Sequence, residues 1–356
     1  MTHTQRTDGQ LPSCAVVVVN WNGAGFLFEC LDSLRGTLPP GIEVIVVDNA
    51  SSDGSPEEVR RRYPEVVLVQ HTTNRGFAAG VNSGLRATAA EVVLLLNNDA
   101  VALPGWFEAM VAPLRAVGGS DVGAVTGRVL LDGSFVPNIG TPRPGDLVGA
   151  GGALWTRVED SAATHAIRLL NSTGNEITMS GNGRDRDWLM EDDGLPAPMD
   201  VFGFNGGCAA LRRAAVEDVG QFDESYFLYY EDTEMSWRLR RRGWRVVHAP
   251  DAVTVHRHGA SAGTASRVFH VENTCNRLRT VVRHGPWNMV ARAWVRSLAR
   301  AVLGGSAWQL VGVTRALTRA SSDIRLRRAI DRAATVPRSV VAGLAVPDGG
   351  ARRLRQ

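Results

Sequence analysis

Along this chain, runs of consecutive apolar residues alternate with stretches of helical spacing. CAVVVVNWN (14–22) is a β-branched run and predicts a strand buried on both faces. Phe26 to Leu34 then follows helical spacing. IEVIVVDNASSDGS (42–55) predicts a second buried strand ending in an Asp/Asn/Ser/Gly turn, and Pro56 opens a helix through Arg62. VVLVQ (66–70) predicts a third strand, NRGFAAGVNSGLRAT (74–88) a glycine-opened helix, and EVVLLLNNDA (91–100) a fourth strand with a polar end. Strands apolar throughout, alternating with helices, predict an α/β fold: a mainly parallel sheet with helices on both faces.

In such sheets ligands bind beyond the carboxyl ends of the strands. Polar residues collect at those ends: Asn20 and Asn22, Asp48 to Asp53, and Asn97 to Asp99. Any one cluster is also ordinary turn chemistry. Three at consecutive strand ends suggest a shared rim. Residues 132–200 are rich in Gly, Pro and Asp and lack periodicity, which predicts a loop-rich insertion with short strands. Order returns at VFGFNGGCAALRR (201–213), with strand-like segments at 245–249 and 252–258. Residues 286–303 form an amphipathic helix. Trp287, Val290, Ala291, Trp294, Val295, Leu298 and Val302 line one face, and Arg292, Arg296 and Arg300 another.

Composition narrows the class. The 356 residues are 44% hydrophobic and 21% charged, enough for a sizeable core and against global disorder. No apolar run approaches the ~18–20 residues that span a bilayer, and the first fourteen residues hold no signal-peptide core. Cys14, Cys30, Cys208 and Cys275 are far apart and form no C-x-x-C pair, which fits a reduced, cytoplasmic setting. The net charge is +3, but thirteen arginines face three acids from Gly285 onward, so the preceding residues sum to about −7. A basic tail suits nucleic acid, anionic lipid or no partner at all. No nucleic-acid motif with interleaved aromatics is present, so no nucleic-acid partner is expected.

Four features offer chemistry, each with a plainer alternative. Asp99 ends a buried strand and can hold a divalent metal, or cap a helix starting near Pro104. Glu231 and Asp232 precede the cationic helix MSWRLRRRGW; one can be a general base, or both can complement the helix dipole, which would make a weak base. His256 and His258 share one face of a strand, as metal ligands or as ordinary polar residues. GFAAGVNSG (76–84) matches neither G-x-x-x-x-G-K-[ST] nor G-x-G-x-x-G; its glycines suit phosphate approach or helix–sheet packing.

Taken in order, VVVVNWNG, VIVVDNASSDGS, TNRGFAAGVNSGLR, LLLNNDA, FNGGCAALRR, VGQFDESYFLYYEDTEMSWRLRRRGWRV and VHRHGAS resemble the inverting family 2 glycosyltransferases over about residues 12–280. Within that family the chain is most similar to rhamnosyltransferases of bacterial cell-surface polysaccharide assembly. The resemblance implies a GT-A fold over 12–280, with 132–200 an insertion on the acceptor side, followed by a basic helical tail at 285–356. It implies a nucleotide-sugar donor and a divalent metal, Mg2+ or Mn2+. Asp48 would contact the nucleoside, with Asn20, Asn74, Gly76, Asn82, Asn97 and Asn98 also on the donor side. Asp99 matches the last acid of the family's D-x-D element and would bind metal. Asn97 stands where the first acid is expected, which removes one charge and leaves the metal more dependent on diphosphate oxygens.

Asp232 matches the catalytic base, beside Glu231, and Gly206 and Gly207 lie on the acceptor side. His256 matches a metal-side histidine, with His258 as the fallback. The implied reaction is inverting transfer of a sugar, favoured as rhamnose from dTDP-rhamnose with UDP-sugars as alternatives. The expected acceptor is a glycan or polyprenyl-linked glycan. The basic amphipathic helix would then sit on an anionic inner leaflet, or pack on the catalytic domain or on a second copy in a homo-oligomer. Two other classes compete. A sugar-nucleotide-forming nucleotidyltransferase would need a basic triphosphate loop, and NWNGAGF has no Lys or Arg. A non-catalytic carbohydrate- or nucleotide-binding module would have no need of Asp99, Asp232 and His256 together.

Overall fold

The structure, a computed structural model, describes residues 12–116, 118–149, 152–159, 165–193, 200–257 and 267–349. The first half alternates strand and helix: β1 (Cys14–Asn20), α1 (Ala24–Thr37), β2 (Glu43–Asp48), α2 (Ser55–Arg62), β3 (Val67–Gln70), α3 (Gly76–Ala87) and β4 (Val92–Leu96). A short β5 (Ala100–Ala102), α4 (Trp106–Arg115) and a long β6 (Val122–Leu131) follow. The 132–200 stretch holds β7 (Ser134–Asn138), β8 (Leu147–Val148), β9 (Leu154–Val158), β10 (Leu170–Ser172), β11 (Asn175–Ile177) and β12 (Gly183–Asp185). After it come β13 (Cys208–Arg212), α5 (Arg213–Val219), α6 (Glu231–Arg241) and β14 (Arg245–His256). Four helices close the chain: α7 (Arg267–His284), α8 (Trp287–Leu303), α9 (Ala307–Ala333) and α10 (Arg338–Ala342).

The main sheet runs β3-β2-β1-β4-β13-β6-β14-β5, with β10 added on β6. It is mixed: β1, β2, β3 and β4 are parallel, β14 is parallel to β6, and β13 and β5 are antiparallel. Alternation along β1 explains the unbroken apolar run. Val16 and Val18 pack beneath α1, α2 and α4, while Ala15 and Val17 pack beneath α3, α5 and α6. The expected doubly covered α/β sheet of the GT-A type is therefore present. The segments at 245–249 and 252–258 are not two strands. They form one strand, β14, whose pairing to β6 shifts between His248 and Val253. Pro250 and Asp251 lie at that shift, where an irregular strand tolerates a missing donor.

The helices after residue 285 share a core with α6 and α7. Trp237 of α6 is fully buried against Cys275, Leu278 and Val281 of α7, Met289 and Ala293 of α8, and Val313 of α9. The packed face of α8 differs from the stripe read in the sequence. Met289, Val290, Ala293, Ser297 and Ala301 face inward, whereas Trp287, Val295, Leu298 and Val302 are exposed. Small side chains let α8 approach α7 closely, and Arg277 of α7 donates to Ser297. Hydrophobic periodicity finds the bulky stripe, whereas packing selected the small one.

Candidate active site

Past Leu96 the chain turns through Asn97, Asn98 and Asp99 into β5. Asp99 is 5% exposed. It does not cap a helix: α4 begins at Trp106 behind Gly105, with no side-chain cap. Register brings His256 to it from the far end of the chain, because β14 pairs His256 with Ala100. His256 Nε2 lies 3.0 Å from Asp99 Oδ1. His256 Nδ1 lies 2.9 Å from Asn171 Oδ1 at β10. An amide oxygen only accepts, so Nδ1 carries a hydrogen, and in the neutral imidazole Nε2 is then the nitrogen with the lone pair. A lone pair opposite a carboxylate oxygen is repulsive unless a proton or a cation lies between. Asp99 Oδ1 has no hydrogen-bond partner. Two ligands on one octahedral cation with bonds of about 2.1 Å sit about 3 Å apart, which is the observed spacing. The donors, one carboxylate and one imidazole oriented by an amide, therefore fit Mg2+ or Mn2+. Among the described residues no third His, Cys, Asp or Glu joins them. His258 lies outside the described residues.

The acid pair opens α6. Tyr229 and Tyr230, just before it, have φ of 69° and 71°, a left-handed conformation unfavourable for non-glycine residues. The two acids face differently. Glu231 is 7% exposed, and burial, then the Asp232 charge, pushes it up to about 8. Asp232 is partly exposed, and its Oδ2 accepts from the Gly206 N–H at 3.0 Å. Burial raises its pKa despite that hydrogen bond, so Asp232 is a stronger base than its place at a helix start suggests. Glu234, one turn on, is ionised. Burial pushes it up, but Arg238 and the His284 hydrogen bond at 3.0 Å hold it well below the usual carboxylate range and tie α6 to α7.

One tight turn, 205–207, joins the two halves of the site. Asn97 N donates to Gly207 O at 3.0 Å, on the Asp99 side. Gly206 N donates to Asp232 on the other. A Cβ on Gly207 would lie 2.9 Å from Asn97 Nδ2 and 3.0 Å from Asn205 Oδ1, so a larger residue would displace these two side chains. Asn205 Nδ2 donates to Asp185 Oδ1 at 2.7 Å. Asp185, at the end of β12, is pushed up to about 6 by burial. The Ser172 and Asn205 hydrogen bonds oppose that rise, the Asp232 charge adds to it, and His256 pulls against it. Asp185, Asn171 and Asn205 were not singled out in the sequence. The first two lie in a segment without periodicity, and Asn205 was overshadowed by its neighbouring glycines.

The residues expected on the donor side form a second group. Asn20 Nδ2 donates to Asp48 Oδ1 at 3.1 Å, and Asn98 Nδ2 donates to Asn20 Oδ1 at 2.8 Å. Asp48 Oδ2 also accepts from Ser51 N at 3.0 Å. A hydrogen-bonded chain thus runs from the Asp48 turn to the residue before Asp99, with Asn20 and Asp48 each 1% exposed. Asn74 Oδ1 accepts from Gly76 N at 2.9 Å and shapes the start of α3. Asn82 is not brought to the site. It is 2% exposed and clamps the 222–224 segment, donating to Phe222 O at 2.8 Å and accepting from Phe222 N at 3.0 Å. Both ends of its amide are used, so it has nothing to offer a donor.

The chain is similar to known proteins in sequence and in fold. The family model Glycosyl transferase family 2 matches residues 15–138, and Glycosyl transferase family group 2 matches 166–316. The N-acetylglucosaminyl-diphospho-decaprenol L-rhamnosyltransferase of Mycobacterium tuberculosis is 28% identical over 266 residues, 70% of this chain and 77% of that protein. Among solved structures, GalNAc-T7 with UDP, GalNAc and Mn2+ superposes with a TM-score of 0.59 at 14% identity, over 96% of this chain. The chain spans only 60% of that larger protein. The mannosyltransferase PcManGT of Pyrobaculum calidifontis, with GDP-Man and Mn2+, gives 0.50 at 20% identity over 92% of this chain and 87% of its own. The fold is thus that of GT-A enzymes, and the two family matches together take in well over half of the chain, which belongs to glycosyltransferase family 2.

Proposed function

We propose that the protein is an inverting glycosyltransferase that moves rhamnose from a nucleotide donor, favoured as dTDP-rhamnose over a UDP-sugar, to a hydroxyl of a lipid-linked glycan. The sugar and the acceptor class follow the mycobacterial relative's name, and the chemistry follows this chain's geometry. The observation that carries the reading is the 205–207 turn, which holds Asp232 on one side and the Asn97–Asp99 turn on the other. Asp99 and His256 would hold a divalent cation, which when bound offsets the charge that builds on the leaving diphosphate.

The chain's own residues do the rest. Asn20, Asp48 and Asn98 keep the donor-side turns in register. Asn171 fixes the imidazole of His256. Asp232 takes the proton of the acceptor hydroxyl as that oxygen attacks C1 from the face opposite the leaving group. Its raised proton affinity suits the task, because the base must hold a proton at the end of the step. Buried and protonated near neutral pH, Glu231 adds no charge beside it. Asp185 is a second acceptor-side carboxylate that orients the incoming hydroxyls. We place the reaction at the cytoplasmic face of the plasma membrane, where a lipid-linked acceptor is met.

The test is transfer and donor hydrolysis with a panel of nucleotide sugars, with Mn2+, Mg2+ or chelator. Asp232→Asn should lower turnover roughly 10²–10⁴-fold with donor binding intact. The wild-type acidic limb of kcat should lie above the ordinary Asp range. Near wild-type turnover by a folded Asp232→Asn protein would overturn the reading.

A further inference from the structure

The mechanism leaves the outer side of the C-terminal helices unused. On α8, Val295 is 66% exposed, Leu298 43%, Val302 69% and Leu303 86%. Across the Gly304–Gly305 bend, Trp308 and Leu310 of α9 are 42% and 47% exposed. These side chains lie along two helices and their elbow; Arg267 covers part of Trp308, its guanidinium 4.8 Å from the ring centroid, and the aliphatic side chains of α8 remain exposed. The opposite side of α8 is fully engaged with α7 and α9 through its small residues. Exposed apolar area of this extent on an otherwise well-packed protein marks a contact surface.

Charge identifies the partner. Arg292, Arg296 and Arg300 form a row along α8, one turn apart, with Arg292 beside Val295 and Arg300 turned furthest from the apolar face. Arg296 pairs with Asp348 at 3.0 Å, whereas Arg292 and Arg300 are exposed and make no hydrogen bond or ion pair among the described residues. The ten-charge basic surplus from Gly285 onward lies in the same part of the chain. A second protein surface would have to bury these arginines against acids. An anionic lipid surface accepts both features at once, with aliphatic side chains below the headgroups and guanidinium groups among the phosphates. No described helix is long and apolar enough to cross a membrane, so the contact is with its surface.

We propose that the outward face of α8 and the α8–α9 elbow dock on an anionic bilayer, with Arg292 at headgroup level. This deepens the reading of a lipid-linked acceptor and rests on it for its biological sense. The inner side of α8 shares a core with α6, the helix that opens with the acid pair. Tyr230 immediately precedes the acid pair, and its Oη accepts from Gly183 N at 3.0 Å.

The experiment is co-sedimentation of the full-length protein with phosphatidylcholine vesicles, with and without phosphatidylglycerol. These vesicles carry no acceptor, so binding is read independently of transfer. The wild type should bind only the anionic vesicles, and less at high salt. Val295→Glu/Val302→Glu places acids on the exposed face alone and should weaken binding about tenfold or more. Its melting midpoint and donor hydrolysis should match the wild type. Equal binding by wild type and variant overturns the proposal. So does a wild type that ignores anionic vesicles, or one that forms a dimer by light scattering which the variant dissolves, since the face then belongs to a second copy. Vesicle binding without any nucleotide-sugar turnover would overturn the enzymatic reading and leave this one standing.

Discussion

Replacing Glu231 by glutamine keeps the shape of the side chain and removes one titration. Glu231 Oε2 is buried without a hydrogen-bond partner, and burial with the Asp232 charge moves the carboxyl from 4.5 to about 8. Below pH 4.5 the folded and unfolded chains both carry this proton. Between there and about 8 the unfolded chain has released it and the folded chain keeps it. Stability from this group is therefore full at acid pH, falls as pH rises through the window, and levels off above the folded value. Each pH unit is worth about 1.4 kcal/mol, so the whole window amounts to about 5 kcal/mol. Urea unfolding at several pH values across the window reads it directly. The wild type should lose stability steadily with rising pH. Glu231→Gln should follow a flatter curve, the gap between the two widening towards alkaline pH. Asp185 and Asp232 are raised by burial too and tilt both curves alike, so the difference isolates Glu231. Parallel curves would refute the burial argument. Turnover should largely survive in this variant, because Asp232 is the acid left partly exposed. A loss as deep as that of Asp232→Asn would reverse the two assignments.

Two further substitutions probe the site and its frame. Asp185→Asn should raise the acceptor KM or lower transfer roughly tenfold, within the range of one lost charged hydrogen bond; donor hydrolysis should change little, and an equal fall in both would remove Asp185 from the acceptor side. Gly76→Ala should lower stability by roughly 3 kcal/mol in urea unfolding. Gly76 has a φ of +82°, and a Cβ there would lie 2.1 Å from the Phe227 carbonyl oxygen. An unchanged midpoint would show that the 227 loop yields freely.

Much of the frame was legible in the amino-acid sequence. Strands buried on both faces must be apolar throughout, so β1, β2 and β4 announce themselves as unbroken runs, and the polar residues that end them mark the rim. Asp99, Asp232 and His256 stood out by the motifs around them. What each side chain does was not legible. Glu231 and Asp232 are neighbours of like chemistry, and only the packing of α6 buries one and opens the other. Asn82 sits in a glycine-rich segment that suggests ligand contact, yet its amide is consumed by Phe222, 140 residues away.

The local pattern of side chains determined which segments became strands and helices, because burial on two faces or one leaves a periodic trace. Tertiary structure decided the pairings that cross the chain: His256 onto Asp99 by the register of β14 on β5, Asp185 onto Asn205, and the small-residue face of α8 onto α7. Contacts between distant segments depend on register and close packing, and neither is written in the periodicity of any one segment.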